Sequence, residues 1–208
     1  MFFKSFKAIV FMPLILMLFI PIFFIPIIYG SDQNIKFVTN VPNYSEGTSY
    51  PISSSYAWPA PGFTQISSYY GPRKAPTAGA STFHAGIDIA APTGTNLVSI
   101  DNGKVIFTAW NGAGGYSVII ESGNYTFSYF HVDPNFLVSV NQKVKKGQVV
   151  ARVGPLNVYG IANNPYRDSK GNPTNGATTG PHLHFAVKKE GQAVDPLVLY
   201  WFHEITMY

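Results

Sequence analysis

The chain has 208 residues, of which only 12% are charged and 15% are aromatic, and its formal net charge is +4. It contains no cysteine, which excludes disulfide bonds, thiolate zinc ligands, a cysteine nucleophile and a lipid-modified cysteine anchor. Lys4 and Lys7 contribute part of the positive charge, and what remains is too weak and scattered to indicate a nucleic-acid-binding surface.

The N-terminal segment predicts export. Lys4 and Lys7 precede an uncharged apolar run over 8–29, and about 20 such residues suffice to span a bilayer. Residues 1–30 are therefore predicted to form a hydrophobic signal peptide or membrane-anchor helix, with the rest of the chain exported. The sequence leaves cleavage after Gly30 open, so membrane attachment through 8–29 is expected only if the segment is retained.

Residues 31–56 predict a polar, flexible spacer. They are rich in Ser, Asn, Thr, Tyr, Pro and Gly and show no sustained hydrophobic period. The sequence leaves open whether this spacer covers a functional groove and keeps the protein latent.

Residues 57–208 predict one all-β domain. Short runs of β-branched and aromatic residues alternate with turns rich in Gly, Pro and Asn, and no segment predicts an amphipathic helix. Hairpin turns are predicted at 101–103 and 122–124, where Gly and Asn accept positive φ. The predicted strands cover 97–100, 104–110, 116–121, 125–131, 148–153 and 182–188.

A long polar segment over 154–180 interrupts this pattern. Loops of this length inside a compact domain are usually functional or disordered. The segment leads directly into His182, so we interpret it either as a wall of a substrate groove or as a tolerated surface insertion.

Two histidines on alternate positions carry the strongest chemical signal. In a strand, the side chains of His182 and His184 leave the same face, about 6.6 Å apart. Earlier in the chain, His84 and Asp88 would complete a ligand set for a cation such as zinc. On a straight strand these two would lie about 13 Å apart, so we expect the chain to bend at Gly86.

The residues alone also allow purely structural roles for these side chains. The His182 and His184 pair could be structural histidines bonded to backbone carbonyls, and His84 with Asp88 could be an exposed polar turn. His131 ends a predicted strand, and His203 has no evident partner and is interpreted as structural.

Six motifs, taken together and in this order, resemble the lysostaphin/LytM-type zinc metallopeptidases. They run from about residue 58 to residue 201 and comprise Ser68-Tyr69-Tyr70-Gly71-Pro72-Arg73, His84-x-Gly86-x-Asp88-Ile89-Ala90-Ala91-Pro92-x-Gly94-Thr95, Gly103-Lys104-Val105, Tyr129-x-His131, Val144-x-Lys146-Gly147-Gln148 and Gly180-Pro181-His182-Leu183-His184-Phe185.

The resemblance implies that His84, Asp88 and His184 bind one Zn²⁺ ion and that His131 and His182 form the catalytic pair. It implies an antiparallel β-sheet folded into a groove, the duplicated hybrid motif, with zinc on its floor. The implied activity is hydrolysis of peptide bonds in bacterial cell-wall peptidoglycan, outside the cell or at the cytoplasmic membrane, by a zinc-activated water with a histidine base.

Several alternatives remain at this stage. A LytM-like domain can act as a non-catalytic regulator of other wall hydrolases, although the intact set of five residues favours an enzyme. A zinc carboxypeptidase is disfavoured by the short spacing between His84 and Asp88. The long loop over 154–180 replaces the family's short glycine-rich link and leaves the substrate preference open. The sequence also leaves open which of His131 and His182 acts as general base and which donates a hydrogen bond.

Overall fold

The computed structural model of the protein describes residues 55–201, with only the backbone of Trp201 included. The predicted signal or anchor segment, nearly all of the predicted spacer and His203 lie outside these residues. Between residues 55 and 201, no helix is both long enough and apolar enough to cross a membrane.

Strands dominate the described part of the chain. Besides them it contains a 3₁₀ turn at Gly112–Gly114 and one short helix, α1 (Val198–Trp201). The strands are β1 (Ile66–Ser68), β2 (Gly71–Pro72), β3 (Phe83–His84), β4 (Ile87–Ala90), β5 (Asn96–Val98), β6 (Gly103–Trp110), β7 (Tyr116–Ser122), β8 (Tyr125–Phe130), β9 (Lys143–Val144), β10 (Val149–Arg152), β11 (His182–Lys189) and β12 (Gln192–Val194).

All the strand pairings are antiparallel, which confirms the predicted antiparallel β fold. The main sheet has the order β1-β4-β11-β8-β7-β6-β9, and β12 pairs with the far end of β11. Two small sheets, β5 with β10 and β2 with β3, accompany it. The central position of β11 matters most, because this strand carries both histidines of the alternating pair.

The core lies on the opposite face of β11 from these histidines. Leu183, Phe185 and Val187 are fully buried, whereas His182 and His184, which alternate with them along the strand, are only partly buried. This alternation confirms that the two histidines share a face. On the neighbouring strand, the buried Tyr129 donates its hydroxyl hydrogen to the carbonyl of Val98 at 2.9 Å and so ties β8 to the small sheet of β5 and β10.

Two predicted features differ from the structure. Strand β8 ends at Phe130 rather than at residue 131, because His131 has a φ of 56°, which a strand does not accommodate. Residues 101–103 do not form a hairpin turn, since β5 pairs with β10 while β6 pairs with β7 and β9. The predicted turn at 122–124 does join a hairpin of β7 and β8, with Gly123 at a φ of 57°.

Candidate metal centre and active site

Three side chains from three strands converge at the centre of the main sheet. His184 of β11 lies opposite Asp88 of β4 in the strand register, and its Nδ1 atom is 2.8 Å from Asp88 Oδ1. His84 of β3 places its Nε2 atom 3.1 Å from the same oxygen and 2.8 Å from His184 Nδ1. One ligand atom from each residue lies within 4.8 Å of the others.

A bend between β3 and β4 brings His84 to Asp88, as the spacing predicted. Strand β3 ends at His84 and β4 begins at Ile87, with a bend over the two residues between them. Gly86 has no positive φ, and it is required for another reason. A Cβ atom there would lie 2.5 Å from the Phe185 carbonyl oxygen and 3.0 Å from His184 Nε2. The glycine therefore allows β4 and β11 to approach closely at the site.

The donor set suits a zinc ion. Two imidazole nitrogens and one carboxylate oxygen are ordinary zinc ligands, and in a tetrahedral site with bonds of about 2 Å the ligand atoms lie about 3.3 Å apart. The spacings of 2.8 to 3.1 Å among His84, Asp88 and His184 are close to this value. His84 also donates from Nδ1 to the Tyr69 carbonyl at 2.8 Å, which leaves its Nε2 lone pair facing the cluster.

Arg73 holds the other oxygen of Asp88. Its Nη1 atom donates to Asp88 Oδ2 at 3.0 Å and to Ser68 Oγ at 2.6 Å, so Oδ1 alone faces the histidines. Burial raises the pKa of Asp88, but the contacts with the side chains of His182, His184 and His84 outweigh burial and hold the pKa well below its usual range. The lowered pKa favours the ionised carboxylate, which is the form that ligates a metal.

His131 and His182 lie next to this cluster. Their ring centroids are 4.9 Å apart, and His182 Nε2 is 3.5 Å from Asp88 Oδ1. Each ring donates from Nδ1 to a backbone carbonyl: His131 to Asn175 at 2.7 Å and His182 to Gly180 at 2.8 Å. A carbonyl only accepts hydrogen bonds, so in both neutral rings Nε2 carries the lone pair.

Burial favours the neutral forms of His131 and His184. His131 is 7% exposed, and burial, reinforced by repulsion from His182 and His184, lowers its pKa to about 3. Burial likewise lowers the pKa of His184 despite its contact with Asp88. A neutral imidazole is the form that accepts a proton or ligates a metal.

An open groove of about 760 Å³ exposes these five residues. One wall is the segment between β2 and β3, including Arg73 and Lys74, together with Phe83 of β3. The other wall consists of residues 111–114 and 177–181. Small side chains, among them those of Ala80, Ala113 and Ala177, line part of both walls.

The long loop contributes to the groove only through its C-terminal end. Residues 177–181 line it, whereas much of the preceding segment folds onto itself around Asp168. Tyr166 nevertheless reaches the opposite wall, since a Cβ atom on Gly79 would lie 2.5 Å from the Tyr166 ring. The C-terminal end of the loop thus forms part of a groove wall, as one interpretation predicted, whereas much of the rest is an insertion that folds onto itself.

Sequence reasoning missed two contributors to this site. Arg73 was part of a motif but had no predicted role, and its contact with Asp88 depends on a chain reversal between β1 and β4. Asn175 was one of many polar loop residues, and no local pattern distinguishes it. The roles of both residues become visible only in the folded structure.

The comparisons with known proteins agree with this arrangement. A model of peptidase family M23 matches residues 82–166, a segment that contains His84, Asp88 and His131 and ends before His182 and His184. The curated peptidoglycan DD-endopeptidase ShyB of Vibrio cholerae is 34% identical over 150 residues, which cover 71% of this chain and 29% of ShyB.

Two further relatives differ in what their names describe. The murein hydrolase activator EnvC of Escherichia coli is 31% identical over 111 residues, covering 53% of this chain and 22% of EnvC. The crystal structure of a zinc-containing peptidase from Vibrio cholerae has 33% identity and a TM-score of 0.52, covering 66% of this chain and 37% of that one. The chain thus spans less than a third of the length of either curated relative. The family match confirms the lysostaphin/LytM-type resemblance.

Proposed function

Because the chain belongs to peptidase family M23, we propose that it is an exported zinc metalloendopeptidase that hydrolyses peptide bonds in bacterial cell-wall peptidoglycan. The observation that carries this proposal is the convergence of His84, Asp88 and His184 into a three-ligand cluster with His131 and His182 beside it. Three ligands leave one position for water or substrate, which is typical of catalytic rather than structural zinc.

His84, Asp88 and His184 are the residues that would hold the metal. A zinc ion bound in this way acts as a Lewis acid toward a scissile carbonyl and lowers the pKa of water. Arg73 orients the ligand set, since it occupies Asp88 Oδ2 and leaves Oδ1 for the ion. The charge of the carboxylate also offsets part of the ion's charge in this half-buried site.

His131 and His182 supply the proton transfers. Each presents an unprotonated Nε2, held in place by the hydrogen bond that its Nδ1 donates to a carbonyl. One ring takes the proton of the attacking water as general base and, as the imidazolium so formed, returns it to the leaving amine; the other ring donates to the developing oxyanion only after it has taken up a proton from solvent. The short distance between the rings lets both act on one peptide bond.

The substrate assignment draws on the relatives. ShyB is named a peptidoglycan DD-endopeptidase, and the groove, which is open and partly lined by alanine and glycine, has room for an extended peptide with small side chains. Such a substrate lies outside the cytoplasmic membrane, in agreement with the predicted export segment over 1–30. On this proposal residues 57–208 form the peptidase domain, linked by the spacer over 31–56 to the membrane if 8–29 is retained.

The second candidate is a non-catalytic regulator of other wall hydrolases. The similarity to EnvC, which is named a murein hydrolase activator, favours it. Against it stands the complete set of ligands and adjacent histidines, since an activator has no need of a three-ligand metal site with two further imidazoles held beside it.

The test incubates the full-length, zinc-loaded protein with purified peptidoglycan of several wall types and identifies new termini by mass spectrometry. We expect new amino and carboxyl termini within the cross-links or stem peptides, and their loss with His182→Ala. The matched control is Tyr159→Ala, which alters an exposed side chain outside the groove lining. If the wild type cleaves nothing but accelerates an added wall hydrolase, the protein is a regulator and the peptidase proposal is wrong.

A further inference from the structure

Asn175 is fully buried beside the active site, although it belongs to the long polar loop. Its side-chain amide joins two backbone groups: the Tyr116 N–H donates to Oδ1 at 2.9 Å, and Nδ2 donates to the Val132 carbonyl at 3.0 Å. Tyr116 begins β7 and Val132 follows β8, so the amide connects the ends of two neighbouring strands. Both ends of the side chain are paired, as a buried amide requires.

The backbone of the same residue contacts a catalytic candidate. His131 Nδ1 donates to the Asn175 carbonyl oxygen at 2.7 Å. The Asn175 N–H in turn donates to the Leu156 carbonyl at 2.8 Å. The position of the carbonyl that selects the His131 tautomer is thus fixed by three hydrogen bonds of Asn175: its side chain accepts one and donates one, and its backbone N–H donates the third.

The surroundings are shaped to admit this asparagine. A Cβ atom on Gly115 or on Gly154 would overlap atoms of Asn175. His131 itself has a φ of 56°, a conformation that a non-glycine residue keeps only where its neighbours hold it. The His131 N–H donates to Gly114 at 2.8 Å, and its carbonyl accepts from Gly154 at 2.9 Å.

From these contacts we propose that Asn175 is a positioning residue that fixes His131 with its hydrogen on Nδ1 and its Nε2 lone pair facing the groove. The assignment rests on the proposed function, because that function makes His131 catalytic. It also explains how the loop over 154–180 can be long without disturbing catalysis. The hydrogen bonds of Asn175 to Tyr116 and Val132 hold the chain beside the active site just before residues 177–181 line the groove.

The test replaces Asn175 by aspartate, which keeps the acceptor for Tyr116 but removes the donor to Val132. Asn164→Asp is the matched control, since Asn164 is buried in the same loop and donates from Nδ2 to the Thr174 carbonyl at 2.9 Å, so this variant also loses a hydrogen bond next to Asn175 but keeps the Asn175 side chain. In the zinc-loaded full chain we expect Asn175→Asp to lower kcat about 10- to 100-fold with KM and zinc content unchanged. If Asn175→Asp does not fold, Asn175→Ser removes the same donor without adding charge.

A second readout separates positioning from general damage. With ¹⁵N-labelled histidine, His131→Asn identifies the His131 signals among the five histidines. We expect wild-type and Asn164→Asp protein to show a protonated Nδ1 and an unprotonated Nε2, and Asn175→Asp to show a mixture. In a His131→Asn background, the Asn175 substitution should cost little further activity.

The result that overturns the proposal is an unchanged His131 tautomer in the Asn175 variant, or an equal loss of kcat with Asn164→Asp. If the wild type cleaves no peptide at all, the proposed function fails. The nitrogen signals still decide whether Asn175 positions His131.

Discussion

His184 and Asp88 face each other across β11 and β4, with His184 Nδ1 2.8 Å from Asp88 Oδ1. This contact is set by the register of two paired strands at the centre of the main sheet. A slip of one residue in β11 would turn His184 towards the core and bring Leu183 to the groove. The geometry of the site therefore depends directly on the register of the main sheet.

Arg73→Gln tests the support of the ligand set. The substitution removes the donor to Asp88 Oδ2 and Ser68 Oγ. We expect the affinity for zinc to fall about 10- to 100-fold, because loss of a partner that orients a ligand typically costs this much. Competition with a chromophoric chelator measures the change.

Arg167→Gln is the matched control for Arg73→Gln. Arg167 likewise donates from Nη1 to two oxygens, but these are the backbone carbonyls of Asn164 and Tyr166 within the long loop. Equal zinc affinities for the two variants would contradict the role assigned to Arg73.

Gly86→Ala tests the close approach of β4 and β11. The added methyl group would meet the Phe185 carbonyl at 2.5 Å, so the strands must separate. We expect a loss of about 1–3 kcal/mol in the free energy of unfolding, measured with urea. Gly180→Ala is the control, since nothing lies within 4 Å of its Cβ position and its φ is not positive. Comparable losses in both variants would show that the approach at Gly86 is not special.

The sequence predicted which residues meet at this site better than it predicted the residues that support them. The alternation of His182 and His184 followed from strand geometry, and the bend between His84 and Asp88 followed from the distance a metal ion demands. The structure brings all five predicted residues together. Gly86 is nevertheless needed for space rather than for conformational freedom, because its constraint comes from β11, about a hundred positions later.

The longer strands were also predictable, whereas the short ones were not. Strands β6, β7, β8 and β11 carry continuous β-branched and aromatic runs, but two-residue strands such as β2, β3 and β9 are too short to show any alternation. The turn at 101–103 has hairpin composition, yet β5 pairs elsewhere because the partner of a strand is not determined by its neighbouring turn. Asn175 escaped notice because its bonds join residues far apart in the chain.

The metal-free protein should lose stability as the pH falls below about 6.5. Burial lowers the pKa of His131 to about 3 in the folded state, so between these values the unfolded chain binds a proton that the folded chain does not. This residue alone can contribute a slope of up to about 1.4 kcal/mol per pH unit. The lowered pKa of Asp88 adds a loss of the same sign below about pH 4.

Urea unfolding at about pH 7, 6 and 5 measures the slope for wild type and His131→Asn. Asparagine keeps a donor near the position of Nδ1 but cannot titrate, so we expect a shallower dependence in the variant. Identical slopes would show that His131 is not held neutral by the fold.

Asp168→Ala should loosen the long loop without affecting the metal site. The Asp168 carboxylate accepts from the backbone of Lys170 and Asn172 and from the side chains of Asn157 and Asn172. The side-chain hydrogen bond from Asn172 leads the contacts that lower its pKa to about 2, so the loop keeps these bonds down to strongly acidic pH. We expect faster limited proteolysis within 156–173 and unchanged zinc affinity. A cleavage rate equal to that of the wild type would contradict this role.

The most direct test of the whole account measures zinc content and peptidoglycan cleavage side by side for three full-length proteins: wild type, His184→Ala and His182→Ala. We predict one zinc ion and cleavage for the wild type, neither for His184→Ala, and one zinc ion without cleavage for His182→Ala. Retention of zinc by His184→Ala, or cleavage by His182→Ala at the wild-type rate, would contradict the division of these residues into ligands and catalysts.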